Sequence, residues 1–210
     1  MIISASYKND IPAFYGPWFM ERLRAGYCLL ANPFSGQVSR VSLLPADVDG
    51  FVFWTKNLGP FLDQLPAIRA QGFPFIVQYT INGYPRELER AVTPPRQAIQ
   101  HMRRLAGDYG PRCAVWRYDT VLLTSLTSAE WHLRNFEALA RSLEGLTDEV
   151  VLSFAHFYRK TRRNLELAAR AQQFTWIDPD LGARQRLLDR LAACVRAHGI
   201  RATLCAQPEL

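Results

Sequence analysis

The feature that most constrains this chain is the run Phe51-Val52-Phe53-Trp54, apolar throughout with no alternation. Such a run fits a strand covered on both faces, as in parallel sheets. Three further β-rich runs follow it: Phe75-Ile76-Val77-Gln78-Tyr79-Thr80, Cys113-Ala114-Val115-Trp116 and Val150-Val151-Leu152-Ser153-Phe154. Ile2 to Ser6 and Ile200 to Cys205 add a short strand near either end. Tyr27 to Leu30 is ambiguous between strand and loop.

Helical patterns separate these runs. Asp10 can cap a helix with Pro12 in its first turn; Phe14, Trp18 and Leu23 then recur at helical spacing, and Gly26 ends it. A helix is expected from about Pro60 to Ala70, closing near Gly72. Thr93-Pro94-Pro95 opens another, with Ile99, Met102, Leu105, Ala106 and Tyr109 on one face. Thr127 and Glu130 have capping-box spacing ahead of the stripe Trp131, Phe136, Leu139, Ala140 and Leu143. Helices near Tyr158 to Ala171 and Ala183 to Ala197 complete the set, the latter ending at His198-Gly199.

Strands alternating with amphipathic helices predict a parallel sheet with helices outside. No strand is followed by G-x-G-x-x-G and no P-loop is present. The expectation is therefore a TIM-barrel-like (β/α) barrel, complete or partial, in a single domain over residues 1–210. The length leaves room for a sizeable core, and 49% hydrophobic with 21% charged residues is a normal globular balance. No apolar run is long enough to cross a bilayer, and the N-terminus lacks a signal peptide's basic flank and cleavage site. Those features predict a cytoplasmic protein. Cys28, Cys113, Cys194 and Cys205 are far apart, without metal-type spacing, and read as reduced thiols.

Ligands of α/β sheets and barrels bind at the carboxyl ends of the strands. Applied here, that rule collects a polar rim. It holds Ser4, Ser6, Tyr7, Lys8, Asn9 and Asp10 after the first strand, then Thr55, Lys56 and Asn57. Gln78, Tyr79 and Thr80 follow, with Asn82 beyond, and then Arg117, Tyr118 and Asp119. Ser153, His156, Tyr158 and Lys160 come next, and Cys205 and Gln207 last. Trp54-Thr55-Lys56-Asn57 and Trp116-Arg117-Tyr118-Asp119 each put a cation straight after a buried run, where it needs an anionic partner. That partner is either Asp119 or Asp10, or else a substrate or cofactor. On the second alternative Lys56 and Arg117 bind a carboxylate or phosphate. Asp119 or Asp10 acts as acid/base or orients a cation, unless Asp10 simply caps its helix. His156 reads as a proton carrier or ligand, or as an ordinary satisfied histidine. Ser4, Asn57, Gln78, Thr80, Tyr118, Ser153 and Gln207 are candidates to bind a cofactor. Asp10, Asp119 and His156 could form a carboxylate–imidazole metal site, though no spacing signature supports it, and no metal is assigned.

Net charge is +6, from 25 Lys plus Arg against 19 Asp plus Glu, which weakly favours anionic partners. Two basic clusters stand out, Arg103-Arg104 and Arg159-Lys160-Thr161-Arg162-Arg163. They read either as solvated helix faces or as phosphate or nucleic-acid contacts.

Several segments resemble a bacterial family known only as a domain of unknown function, number 1848. They are Ile2 to Tyr15, Asn32-Pro33, Gln37 to Leu43, Val52 to Asn57, Gln78 to Thr80, Trp116 to Asp119, Ser153-Phe154 and Tyr158 to Thr161. The resemblance covers essentially the whole chain. It departs at Asn9, usually Thr, and at Thr120, usually Pro. Members typically continue into a cysteine-rich C-x-x-x-C-x-x-C tail, similar to the cluster motif of radical S-adenosylmethionine enzymes. This chain looks truncated about where that tail would begin. The resemblance implies a [4Fe–4S] cluster and S-adenosylmethionine for a longer form, and no cofactor in this chain alone. Three functions are carried forward. The first is the catalytic barrel of a radical S-adenosylmethionine-like enzyme with an anion site at its strand ends. The second is a cluster-free barrel enzyme acting on a small anionic substrate. The third is a nucleic-acid-binding module using Arg159 to Arg163.

Overall fold

Strand and helix alternate along the computed structural model, which describes residues 1–6, 8–205 and 207. Tyr7, assigned to the rim above, and Ala206 and 208–210 at the chain end lie outside the described residues. The chain divides into two compact units, Met1–Tyr79 and Thr80–Leu210.

In the first unit, β1 (Ile2–Ser4) is followed by helices α1 (Ile11–Phe14) and α2 (Gly16–Ala25). An antiparallel hairpin comes next, β2 (Tyr27–Ala31) and β3 (Val38–Ser42), with Tyr27 opposite Ser42. Then come β4 (Gly50–Thr55), a 3-10 turn over Gly59–Gln64, α3 (Leu65–Ala70) and β5 (Phe75–Thr80). β4 pairs in parallel with both β1 and β5, Ile3 opposite Phe51 and Phe53 opposite Val77. The core is aromatic. Phe19 of α2 meets Phe51 and Phe53 edge-on, each at 5.2 Å between ring centroids, and Phe53 also packs on Phe61 at 5.0 Å. Edge-to-face geometry puts the positive rim of one ring on the negative face of the next.

The second unit opens with α4 (Pro95–Tyr109), then β6 (Ala114–Val121), α5 (Ala129–Leu143) and β7 (Glu149–Phe154). It closes with α6 (Arg159–Gln172), α7 (Leu181–Arg196) and β8 (Arg201–Leu204). β6, β7 and β8 are parallel, with Trp116 opposite Val150 and Val150 opposite Ala202. The register shifts between Tyr118 and Val121, and the Asp119–Thr120 peptide is cis. Phe136 of α5 stacks on Trp116 at 4.7 Å, and α7 buries Leu187, Leu188, Leu191 and Val195.

The fold is thus mixed α/β with a six-stranded sheet, parallel in the pairings described, and no closed barrel is found among the described residues. Other expectations change in detail. The helix expected after Asp10 is two helices, broken at Tyr15 because Pro17 begins a new first turn. Phe14 and Trp18 consequently face solvent, 76% and 44% exposed, and Phe19, Met20 and Leu23 make the buried stripe. The segment from Pro60 begins as 3-10 and becomes α-helical only at Leu65. Ser128, not Thr127, caps α5, accepting from the Trp131 N–H at 3.2 Å. Thr127 is fully buried and donates its hydroxyl to the Leu122 carbonyl at 2.8 Å. Among the described residues no helix is long and apolar enough to cross a membrane.

Phe53→Ala should lower unfolding free energy by roughly 3–5 kcal/mol in denaturant titration, since it empties the centre of the ring cluster. Phe34→Ala, at a side chain 98% exposed, should leave stability unchanged; a loss at Phe34 comparable to that at Phe53 would contradict the assigned core.

Candidate functional site

Successive side chains of a strand point to opposite faces. On β6 this divides two chemistries. Trp116 and Tyr118 face α5, where Phe136 packs on both. Arg117 and Asp119 face the other way. Arg117 is 4% exposed, so its guanidinium needs a partner close by. Asp119 supplies it, its Oδ2 accepting from Arg117 Nε at 3.1 Å and from Nη2 at 2.5 Å. The other carboxylate oxygen accepts a hydrogen bond from the Ser153 hydroxyl of β7. Arg117 Nη2 also reaches the Cys205 sulfur, 3.3 Å away just past β8. Arg117, Asp119, Ser153 and Cys205 thus form one cluster at the carboxyl ends of β6, β7 and β8. Burial alone would push the Arg117 guanidinium down, but its bonds to Asp119 and Cys205 outweigh that and hold it above the ordinary arginine range. The Asp119 side chain keeps 24% of its surface exposed and is the cluster's open face.

The backbone carrying Asp119 is fixed residue by residue. Asn82, 3% exposed, acts like an added strand. Its Oδ1 accepts from the Asp119 N–H and its Nδ2 donates to the Asp119 carbonyl, each at 3.0 Å. Tyr84 donates its hydroxyl to the Thr120 carbonyl at 2.6 Å and accepts from the Leu122 N–H at 2.9 Å. His132 Nε2 contacts the Leu122 carbonyl at 3.0 Å, which can only accept, so that nitrogen carries the hydrogen. Nδ1 therefore accepts from the Tyr118 hydroxyl at 2.8 Å. Asn135 donates to Tyr118 Oη at 3.1 Å and to the Asn82 carbonyl at 2.7 Å. Burial pushes the His132 imidazole down to about 4 and both phenols up. All three therefore stay neutral. A cavity of about 80 Å³ beside Asn82, Tyr84 and Glu89 has room for water rather than for a substrate.

The other expected residues fall into separate places. Ser4, Asp10, Lys56, Asn57 and Gln78 belong to the first unit. Asp10 is a helix cap: Oδ1 accepts from the Ala13 N–H and Oδ2 from the Lys56 N–H, both at 3.0 Å. Both oxygens thus serve the backbone. Lys56 is exposed, not in a desolvated mouth as expected, because it lies one residue beyond β4. Asn57 belongs to the same turn, its Oδ1 accepting from the Gly59 N–H at 3.2 Å. Ser4 is exposed; Gln78 and Thr80 are half-buried on β5.

In the second unit, Tyr118 does not join the cluster because it lies on the α5 face. Gln207, 2% exposed, brackets Phe154, accepting from its N–H at 2.8 Å and donating to its carbonyl at 3.2 Å. The same amide nitrogen lies 3.0 Å from His156 Nε2, which is exposed and accepts from it. Among the described residues no three His, Cys, Asp or Glu side chains converge as a metal site would need, the proposed trio of Asp10, Asp119 and His156 included. Cys205 and Asn82 were on the rim with no role assigned. The i, i+2 spacing of Arg117 and Asp119 was the signal for their pairing. The partners that complete it come from far along the chain and leave none.

Between pH 6.5 and 4 the unfolded chain takes up a proton at His132 that the folded chain refuses. Stability is therefore full above the unfolded value and falls as pH drops toward 4, by about 3 kcal/mol in all. His132→Gln should flatten that dependence in urea titrations across the window; an equal slope in the variant would refute the assignment.

A family model described as a domain of unknown function (DUF1848) matches residues 2–210. No curated protein and no solved structure matches the chain.

Proposed function

The chain belongs to the DUF1848 family, and from that footing we propose that it is a TIM-barrel-like α/β enzyme of the cytoplasm whose active centre is the Arg117–Asp119–Ser153–Cys205 cluster, acting on a small anionic substrate. One observation carries the reading. A buried ion pair adds little net stability over an apolar pair of the same shape. This one sits at the ligand-binding end of parallel strands, with its carboxylate left partly open. Structural economy does not ask for that arrangement, whereas chemistry does.

The roles follow from the bonds. Asp119 moves the proton; Arg117 and Ser153 hold its two oxygens in place. Arg117 also offers the substrate anion a guanidinium that Asp119 must share. Cys205 places its sulfur 3.3 Å from the same guanidinium, at the edge of the centre. Four free thiols suit the reducing cytoplasm.

The iron–sulfur chemistry implied by the resemblance does not fit this donor set. A [4Fe–4S] cluster is held by several thiolates close together. Cys28 lies on β2, Cys113 before β6, Cys194 on α7 and Cys205 after β8, and no metal-type group forms among the described residues.

Thermal unfolding in rising inorganic phosphate or succinate tests the proposal. An anion bound only by the folded chain stabilises it by about 2–3 kcal/mol at roughly a hundredfold excess over its Kd. Asp119→Asn removes the competing carboxylate and should tighten the anion; Arg117→Lys, which loses the planar fork, should weaken it. If no anion stabilises either the parent chain or Asp119→Asn, the reading fails.

A further inference from the structure

The basic run at the start of α6 has no part in the chemistry above. Arg159, Lys160, Thr161, Arg162 and Arg163 are all exposed, and α6 as a whole buries no residue. Four cations occupy its first five positions, the first turn holds no acidic residue, and the N-cap Tyr158 makes no side-chain bond. Cations in that position oppose the helix macrodipole, so they work against the helix that carries them. Arg162 is engaged, pairing with Asp178 at 2.9 Å and lying over the Phe157 and Trp176 rings. Arg159, Lys160 and Arg163 make no ion pair among the described residues.

Rings stand directly ahead of these cations. His156 and Tyr158 stack with centroids 5.9 Å apart and planes 28° from parallel. Both are exposed, Tyr158 to 71%, and the Gln207 amide anchors the His156 ring. Phe157 stacks on Trp176 at 4.9 Å and 18°, under Arg162. Flat apolar faces and uncompensated positive charge therefore lie together along eight consecutive residues, 156–163.

The pairing of features selects the partner. An acidic peptide satisfies the cations but has no planar groups for the rings. A duplex offers phosphates but keeps its bases stacked inside. A single strand uses both, its phosphates meeting the cations and its unstacked bases meeting the rings. We propose that the segment from His156 to Arg163 is a binding surface for single-stranded nucleic acid. The proposal is independent of the reaction assigned to the Asp119 cluster.

The test is fluorescence anisotropy of the whole chain with labelled oligothymidylate of about ten nucleotides, a duplex and poly-glutamate serving as rivals. Combined Arg159→Glu, Lys160→Glu and Arg163→Glu, at exposed positions, should keep the unfolding midpoint. It should weaken binding at least about tenfold and reduce the slope of log affinity on log salt by roughly 2. Tyr158→Ala should weaken single-strand binding about fivefold or more, while Tyr158→Phe keeps it. No binding at about 50 mM salt, equal affinity for duplex or poly-glutamate, or charge-reversed and Tyr158→Ala chains that bind like the parent would each overturn the proposal.

Discussion

Burying the Arg117 guanidinium inside a parallel strand commits everything around it. A cation taken out of water loses several kcal/mol of hydration, which only close, well-aligned partners restore. Asp119, two residues on and on the same face, can be such a partner only if its own backbone is fixed. That requirement explains why Asn82 clasps both polar groups of the Asp119 backbone and why Tyr84 and His132 hold Thr120 and Leu122. It also explains why the supporting side chains are neutral. A charged His132 would be a fully buried cation that needs a counter-ion of its own. The helix-facing side of β6 is thus the foundation of the charged side, and α5 contributes to the site without touching it.

The two strand-end cations named by the sequence end up with different characters. Lys56 stands one residue past its strand, in solvent, on a turn that Asp10 ties down through the Lys56 backbone N–H. Arg117 stands inside its strand, four residues before the end, and only 4% of its surface is exposed. The sequence patterns look alike, an apolar run ending in a cation. What differs is strand length: β4 stops at Thr55, whereas β6 runs on to Val121 because Tyr118 and Val121 are buried.

The same contrast marks what was legible. Strands β6 and β7 were readable because they are buried on both faces, which imprints a nearly unbroken apolar run on the sequence. The β2–β3 hairpin left no such imprint, since Leu29, Leu30 and Val38 are more than half exposed and no buried face forces an alternation. The break at Tyr15 was hidden because Phe14 and Trp18 keep helical spacing while facing solvent. At the site, the Arg117–Asp119 pair was readable as a strand-face neighbour relation. The Cys205 and Asn82 contacts, 88 and 37 residues away from their partners, form only once the chain is folded and carry no local signal.

Gln207 links the strand end to the ring surface. It can do so because an amide offers an acceptor and two donors. Oε1 takes the Phe154 N–H; Nε2 gives one hydrogen to the Phe154 carbonyl and the other to His156. A glutamate there would keep the first bond and place its second oxygen against two acceptors. The segment from Ser153 to His156 is therefore held at both ends, by Asp119 on one side and by Gln207 on the other. A base resting on the His156 ring would thus lie three residues along the chain from the Ser153 hydroxyl, on a segment that the Gln207 amide ties to the end of β7.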